Sequence, residues 1–272
     1  MVIATGFRVA EERIVPSTAF NHFDQDVARA RAIVTHADPL PRSNAPEQMV
    51  RSDLLRSAWM FAVGAMDAYF CDAYTDIVAA TVISKSRHPA ANLPDFFYDI
   101  RFPVRAILEP YANNENWRWR MAARKMMERE NVLSLSTVQT LFNKFFRKGF
   151  KLFRDRMADW IVHPDAKKRL FGITDVSFNA LGAKQRGQAI EDAQEQMEER
   201  YRYLFQRRHD CIHNCDRPKV SPQALPLGGT VLKVIQDAAF LVHRCDEHIN
   251  AEFREFLLAT GCPAAVVAQA GY

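Results

Sequence analysis

The stretch IEDAQEQMEERYRYLFQRRHDCIHNCDRP, residues 190–218, decides the fold of this chain. At 100° per residue, apolar side chains recur along one face that is centred on Leu204 and extends about 60° to either side. The members of this stripe are Ile190, Ala193, Met197, Tyr201, Cys211 and Cys215. Charged and amide side chains fill the opposite face, and Pro218 follows. We therefore predict a long amphipathic helix over about 184–215.

Two arginines and two histidines lie near the end of this helix. Arg208 falls inside the apolar stripe, where an unpaired guanidinium is costly, so we predict that it has a partner or serves a site. Arg207 lies at the edge of the stripe, whereas His209 and His213 lie on the polar face. Arg208 and His213 therefore diverge on a straight helix. They would meet if the helix distorts before Pro218, or if a second copy of the chain completes the site.

The rest of the sequence predicts an all-α fold. Helical periodicity recurs along the chain, and no stretch alternates with period two for long enough to form a sheet. Pro103 is expected to interrupt one helix, and Gly261-Cys262-Pro263 to end the last. The region 164–183 is predicted as a connection. The other predicted helices cover about 17–36, 47–84, 94–112, 115–131, 136–148, 150–162 and 230–259.

These helices define one predicted domain over 17–260. Within it, 86–183 is predicted to be a helical insertion that is rich in basic and aromatic residues. We expect residues 1–16 to form an N-terminal arm and residues 261–272 to form a frayed C-terminal tail.

Composition indicates a cytoplasmic protein and excludes several classes. We find no run of 18 apolar residues and no secretory signal in MVIATGFRVAEER, so neither a membrane span nor export is expected. Five cysteines, an odd number, favour a reducing compartment. The sequence holds no Gly-rich phosphate loop, nucleophile elbow or dinucleotide fingerprint.

Basic charge is concentrated in residues 115–160, which hold 11 Lys/Arg and five Asp/Glu. Within them, FNKFFRKGFKLFRDR (142–156) interleaves aromatic and basic side chains, a pattern that suits phosphate contacts and base stacking. The alternative is an amphipathic helix with its phenylalanines in the core and its bases in water. The predicted RNA-contacting bases are Lys144, Arg147, Lys148, Lys151 and Arg154.

The segment Arg208-His209-Asp210-Cys211-Ile212-His213 resembles the R-x4–6-H motif of the HEPN superfamily of helical domains. Arg207 offers a second register with five intervening residues. The helix order is similar as well: a long amphipathic helix, a Pro/Gly-rich turn and a final long helix. So is the early helix RSDLLRSAWMFAVGAMDAYF, with Asp67 close before an aromatic residue. The resemblance extends over roughly 17–260 and is not matched residue by residue over 86–183.

The resemblance implies a HEPN-like helical bundle that acts as a metal-independent endoribonuclease, a toxin or a phage-defence effector. In such enzymes the ribose 2′-OH attacks the adjacent phosphate and leaves a 2′,3′-cyclic phosphate. His213 would transfer protons and Arg208 would clamp the phosphate, chemistry that suits both side chains. His209, Asp210 and Asn214 would support them, and Arg207 and Asn214 would contact RNA. The implied partners are RNA, a second copy in a homodimer and a regulatory protein; no cofactor is implied.

Two alternatives stay open. A HEPN-like module could bind RNA, a nucleotide or a protein partner without cutting. A zinc site could use His209 and His213, or Cys211 and Cys215, at i, i+4 spacing. These two pairs point to opposite faces and no C-x-x-C or H-E-x-x-H is present, so we assign no metal ligand.

Overall fold

A computed structural model describes residues 18–42, 45–108, 115–128, 132, 134–214 and 228–268. In this part of the chain every regular element is a helix, which confirms the all-α prediction. The α-helices are α1 (Thr18–Ala37), α2 (Ala45–Arg87), α3 (Asp95–Tyr98), α4 (Val104–Leu108), α5 (Glu115–Met127), α6 (Leu135–Phe142), α7 (Met157–Ile161), α8 (Lys168–Phe171), α9 (Asp175–Asn179), α10 (Ala183–Asn214), α11 (Gly228–Ala259) and α12 (Ala264–Ala268). Short 3-10 turns cover Asn143–Phe145 and Arg154–Arg156.

The central element is α2, whose 43 residues give it a length of about 64 Å. Helices α1, α5, α10 and α11 all pack against it. From Ala73 to Ser84 almost every side chain is buried, including the polar Thr75, Asp76 and Thr81. A helix that neighbours cover on all sides has no solvent face, so its second half shows little amphipathic pattern.

Buried ion pairs tie the outer helices to this centre. Arg120 of α5 donates from Nε to the buried carboxylate of Asp76 at 2.6 Å. Burial nonetheless raises the pKa of Asp76 to about 6. Asp237 of α11, also fully buried, is held by both Arg169 and Arg200, at 2.6 and 2.8 Å. These pairs fix how α5, α8 and α10 dock, because each buried charge requires its partner in place.

The middle region packs into the same core as the long helices. Phe142, Phe145 and Phe146 are buried, and the Phe145 ring contacts those of Phe253 and Phe256 on α11. The prediction of core phenylalanines is therefore confirmed. The single helix over 136–148 is wrong past residue 142, where a 3-10 turn and then extended backbone follow.

A γ-turn at Phe153 replaces the first half of the predicted helix over 150–162. Phe153 has φ 75° and ψ −64°, and the N–H of Arg154 donates to the carbonyl of Leu152 at 3.1 Å. Such a turn is strained by about 1–3 kcal/mol for a residue with a side chain. Side chains satisfy the irregular backbone: Asn143 accepts from the N–H of Leu152 at 2.7 Å. The turn drives the fully buried Phe153 into the core while the chain reverses on the surface.

Three further sequence predictions need comment. The region 164–183 contains α8 and α9, which bury Leu170, Phe171 and Phe178, so it is more ordered than predicted. The last long helix ends as predicted: the N–H groups of Gly261 and Cys262 donate to the carbonyls of Leu258 and Leu257 at 3.0 and 3.2 Å. The prediction of a frayed tail is wrong for 264–268, because α12 forms there and buries Val267.

No helix in the described ranges is long and apolar enough to span a bilayer.

Candidate functional site

Helix α10 runs without interruption through residue 214 and carries the motif. Its rotation is fixed by contacts on the inner face. The Tyr201 hydroxyl donates to the carbonyl of Asp237 at 2.6 Å, and the Trp59 indole donates to the carbonyl of Leu204 at 3.4 Å. Because the helix stays regular from Arg208 to His213, the two side chains point about 140° apart. Of the two ways in which they could meet, a distortion between these residues is ruled out.

Arg208 has the partner that its position requires. Its guanidinium lies 3.7 Å from the Asp67 carboxylate on α2, and the two side chains are 21% and 24% exposed. Burial raises the pKa of Asp67, while Arg208 and a hydrogen bond from the backbone of Val132 act in the opposite direction. The pair thus joins α2 to α10 at the motif, with part of the guanidinium still accessible.

Arg207 is more deeply placed than Arg208, at 6% exposed. The sequence put it at the edge of the apolar stripe, and the structure buries it. A contact between Arg207 and RNA stays a prediction, and it would require this side chain to become accessible. Of the two registers of the motif, the one that begins at Arg208 has the accessible arginine.

His209 and His213 form an exposed pair of imidazoles, with ring centroids 4.4 Å apart. Between them, Asp210 accepts a hydrogen bond from the Gln206 amide at 3.0 Å. Ile212 is 49% exposed beside His213, so the polar face of the helix end also carries one apolar side chain. Asn214 is the last described residue of the helix, and its side chain lies outside the described atoms. The polar face predicted from the sequence therefore presents both histidines to solvent.

His209 lies at the end of a surface pocket of about 310 Å³ between α6 and α10. Six of its lining side chains are polar or charged, and apolar atoms, including those of Leu135 and Phe205, form about half of its wall. A pocket of this kind and size could hold one sugar-phosphate unit. The lining residues are Ser134, Leu135, Ser136, Glu198, Arg202, Phe205, Gln206 and His209.

A second, wider groove of about 610 Å³ shares Ser136 with this pocket. Three of the predicted RNA-contacting bases line it, namely Lys144, Lys151 and Arg154. No carboxylate is among the lining residues, and the other members offer hydroxyl or amide groups. Those other members are Ser136, Gln139, Thr140, Asn143 and Gln194. The groove and the His209 pocket thus adjoin at Ser136, and both are lined by residues of α6 and α10.

The γ-turn at Phe153 positions two of these bases. It lies between Lys151 and Arg154, both of which line the groove beside α6. Asp155 holds the turn by accepting from the N–H of Lys151 at 2.5 Å. A strained backbone that is held by specific side chains is typical of functional loops.

The other two predicted bases lie outside the groove. Arg147 makes a bidentate pair with the buried carboxylate of Glu252, at 3.0 and 2.7 Å, and its guanidinium stacks 4.3 Å from the Phe150 ring centroid. Lys148 is exposed. RNA contacts by either residue stay predictions, and the geometry gives Arg147 a structural role.

The described residues contain no side-chain cluster that could form a metal site. No group of three or more His, Cys, Asp or Glu side chains there is arranged to hold an ion. Cys211 is half-buried, and Cys215, the other cysteine of the zinc hypothesis, lies outside the described ranges.

Several residues of the site were not identified from the sequence. Asp67 was noted only for its place in the early helix, and its pairing with Arg208 spans 141 positions in the chain. Ser134 and Ser136 carried no sequence signal beyond the cap of α6, where Ser134 accepts from the N–H of Thr137 at 3.0 Å. The sequence placed Arg202 on the polar face of its helix and in no site, because the sequence of one helix does not show which other segment lies beside it.

Comparison of the chain with protein-family models, with curated proteins and with solved structures found no match.

Proposed function

We propose that this protein is a metal-independent endoribonuclease of the HEPN type, with His213 and Arg208 as its central residues. One observation carries the proposal: His209, which follows Arg208 in the motif segment, and the bases Lys144, Lys151 and Arg154 line adjoining cavities that share Ser136. The sequence assigned these two sets to RNA on independent grounds, one by motif and one by charge. Their convergence on one surface is what an RNA-cleaving site needs.

The chemistry follows from the side chains. Attack of a 2′-OH on the adjacent phosphate requires a proton acceptor and then a proton donor for the 5′-oxygen, and exposed imidazoles serve both roles near neutral pH. The phosphorane that forms carries extra negative charge, which a guanidinium stabilises through two hydrogen bonds. Asp67 holds the Arg208 guanidinium in place, so little ordering is left for the reaction itself.

A second copy of the chain would complete the site. Within one chain Arg208 faces Asp67 and His213 faces solvent, on an uninterrupted helix. A homodimer that pairs the outer faces of α10 would bring the His213 of one copy toward the motif of the other. The exposed Ile212 supports this arrangement, because a dimer would cover an apolar side chain at the centre of the motif.

The test is incubation of purified protein with total RNA in EDTA, followed by end-group analysis. We expect fragments with 2′,3′-cyclic phosphate ends. His213→Ala should lower the rate by about 100- to 10,000-fold without unfolding the protein, because the side chain is exposed. His36→Ala, at an exposed position on α1, is the matched control and should cut like the wild type. Full activity of His213→Ala, or loss of wild-type activity in EDTA, would sink the proposal.

The binding-module alternative has its own signature. The basic groove, whose lining includes no carboxylate, would bind RNA whether or not the histidines catalyse its cleavage. Intact RNA that shifts on a native gel, with no cyclic phosphate ends, would favour this alternative.

A further inference from the structure

A third pocket lies far along the chain from the motif, between α1, the loop 163–167 and α11. It encloses about 300 Å³, the lower limit for small-molecule sites. Its α11 wall is one helical face, on which the buried Phe240 and the half-buried Ala239 supply apolar surface and His243 and Arg244 supply polar groups. The lining residues are Arg31, Asp165, Lys167, Gln236, Ala239, Phe240, His243 and Arg244.

The side chains that line this pocket carry a net positive charge. Three cationic side chains, Arg31, Lys167 and Arg244, line it against one carboxylate, Asp165. Within the described part of the chain, Arg31 and Lys167 are exposed and have no carboxylate partner at ion-pair distance. Two acids outside the lining contact pocket residues: Asp24 lies 2.9 Å from His243, and Glu247 lies 2.7 Å from Arg244. Arg31 and Lys167 are therefore the cations of this pocket that a bound anion would pair with first.

Beside the same wall, hydrogen-bond donors face both ring nitrogens of His163. The Nε2 of His163 lies 2.8 Å from a guanidinium nitrogen of Arg244, and its Nδ1 lies 3.1 Å from the backbone N–H of Asp165. A neutral imidazole can accept through only one ring nitrogen, so donors face it on both sides. Burial, followed by the charge of Arg244, lowers the pKa of His163, which keeps a second proton off the ring. The Arg244 guanidinium thus has an N–H in excess of the acceptors around it.

We propose that this pocket binds a small organic phosphate, with the phosphate on Arg31, Lys167 and Arg244 and the organic part against Phe240 and Ala239. A phosphate supplies the acceptors that the wall lacks, and guanidinium and ammonium groups are its usual ligands. The volume holds a sugar phosphate or a mononucleotide but no longer strand. This site uses none of the motif or groove residues, so it stands independently of the ribonuclease proposal.

Isothermal titration calorimetry with ribose 5-phosphate, adenosine 5′-monophosphate and inorganic phosphate tests the site. At least one organic phosphate should bind more tightly than inorganic phosphate. The double variant Arg31→Gln/Lys167→Gln should weaken that binding by at least about tenfold. The matched control Arg29→Gln/Lys168→Gln removes the same charge at neighbouring exposed positions outside the pocket and should bind normally.

Histidine NMR gives a second readout. Bound phosphate should raise the pKa of His163, because an anion offsets the charge of Arg244. Absence of binding by all three probes would overturn the proposal, as would unchanged affinity in the double variant. Equal affinity for inorganic and organic phosphates would overturn the organic part and leave an anion site alone.

Discussion

The guanidinium of Arg208 lies 3.7 Å from the carboxylate of Asp67, so helices α2 and α10 are joined at the motif itself. A double-mutant cycle tests this link. Arg208→Ala should destabilise the fold by about 1 kcal/mol, and the pair should show a coupling of roughly 0.5–1 kcal/mol with Asp67→Asn in urea unfolding. Cleavage should be lost in Arg208→Ala and only reduced in Asp67→Asn. Strict additivity of the two substitutions would contradict the link.

Ile212 should mark the dimer interface. Ile212→Glu places a charge at the centre of the proposed contact, so we expect a monomer and at least about 100-fold slower cleavage. Val176→Glu is the control, since Val176 is 74% exposed on α9, which contacts α10 at Arg186, 26 residues before Ile212. Light scattering at tens of micromolar gives the mass. A wild-type monomer that cleaves RNA would count against the composite site.

The three groove bases should set the salt dependence of RNA binding. Replacing Lys144, Lys151 and Arg154 with glutamine removes three phosphate contacts, which should lower the slope of log K against log salt by about 2 for a single strand. The control replaces Lys168, Lys184 and Lys233, which are exposed and line no groove with Ser136. Fluorescence anisotropy at several salt concentrations measures both. Equal slopes in the two triple variants would remove the groove from the RNA path.

Arg147 should behave as a structural residue. Arg147→Gln leaves the Glu252 carboxylate, only 1% exposed, without its bidentate partner, so we expect a loss of about 1–3 kcal/mol in unfolding free energy. Its effect on RNA affinity should be no larger than that of Lys168→Gln. A large loss of affinity in a stably folded Arg147→Gln would return this residue to the RNA-binding set.

His248 should make the fold sensitive to acid. Burial, aided by Arg156, lowers its pKa from 6.5 to about 4. Between these values the unfolded chain binds a proton that the folded chain does not, so acid favours unfolding. The contribution of His248 to the free energy of unfolding is complete above pH 6.5. It should fall by about 3 kcal/mol as the pH drops to 4.

Asp76 acts in the opposite sense over part of this range. Its pKa is raised to about 6, so the folded chain takes up a proton before the unfolded chain does, and acid favours folding between pH 6 and 3.8. The two effects offset each other in the wild type. His248→Gln should therefore be compared with the wild type at each pH, with the exposed His36→Gln as control. A difference that does not change between pH 7 and 4 would contradict the assignment.

The sequence predicted the long helices because periodicity and caps act locally. The helix ends at Ala37 and Ala259 lie within about one residue of those expected. It failed where a single residue overrides the local pattern. Phe153 lies in a stretch whose periodicity predicts a helix, but the chain forms a γ-turn there that places its ring in the core. Likewise, the need of Arg208 for a partner could be stated from one helix, but the identity of Asp67 depends on how α2 crosses α10.

The all-round burial of the second half of α2 has a consequence for synthesis of the protein. α2 ends at residue 87, yet α11, which covers one of its sides, is complete only at residue 259. At the usual pace of translation, roughly 9 to 34 s separate the two events. Throughout that interval the nascent chain carries an apolar helix without its final cover. Premature termination before α11 should thus yield fragments that aggregate or engage chaperones, and the protein should acquire its native form only after the ribosome has passed residue 259.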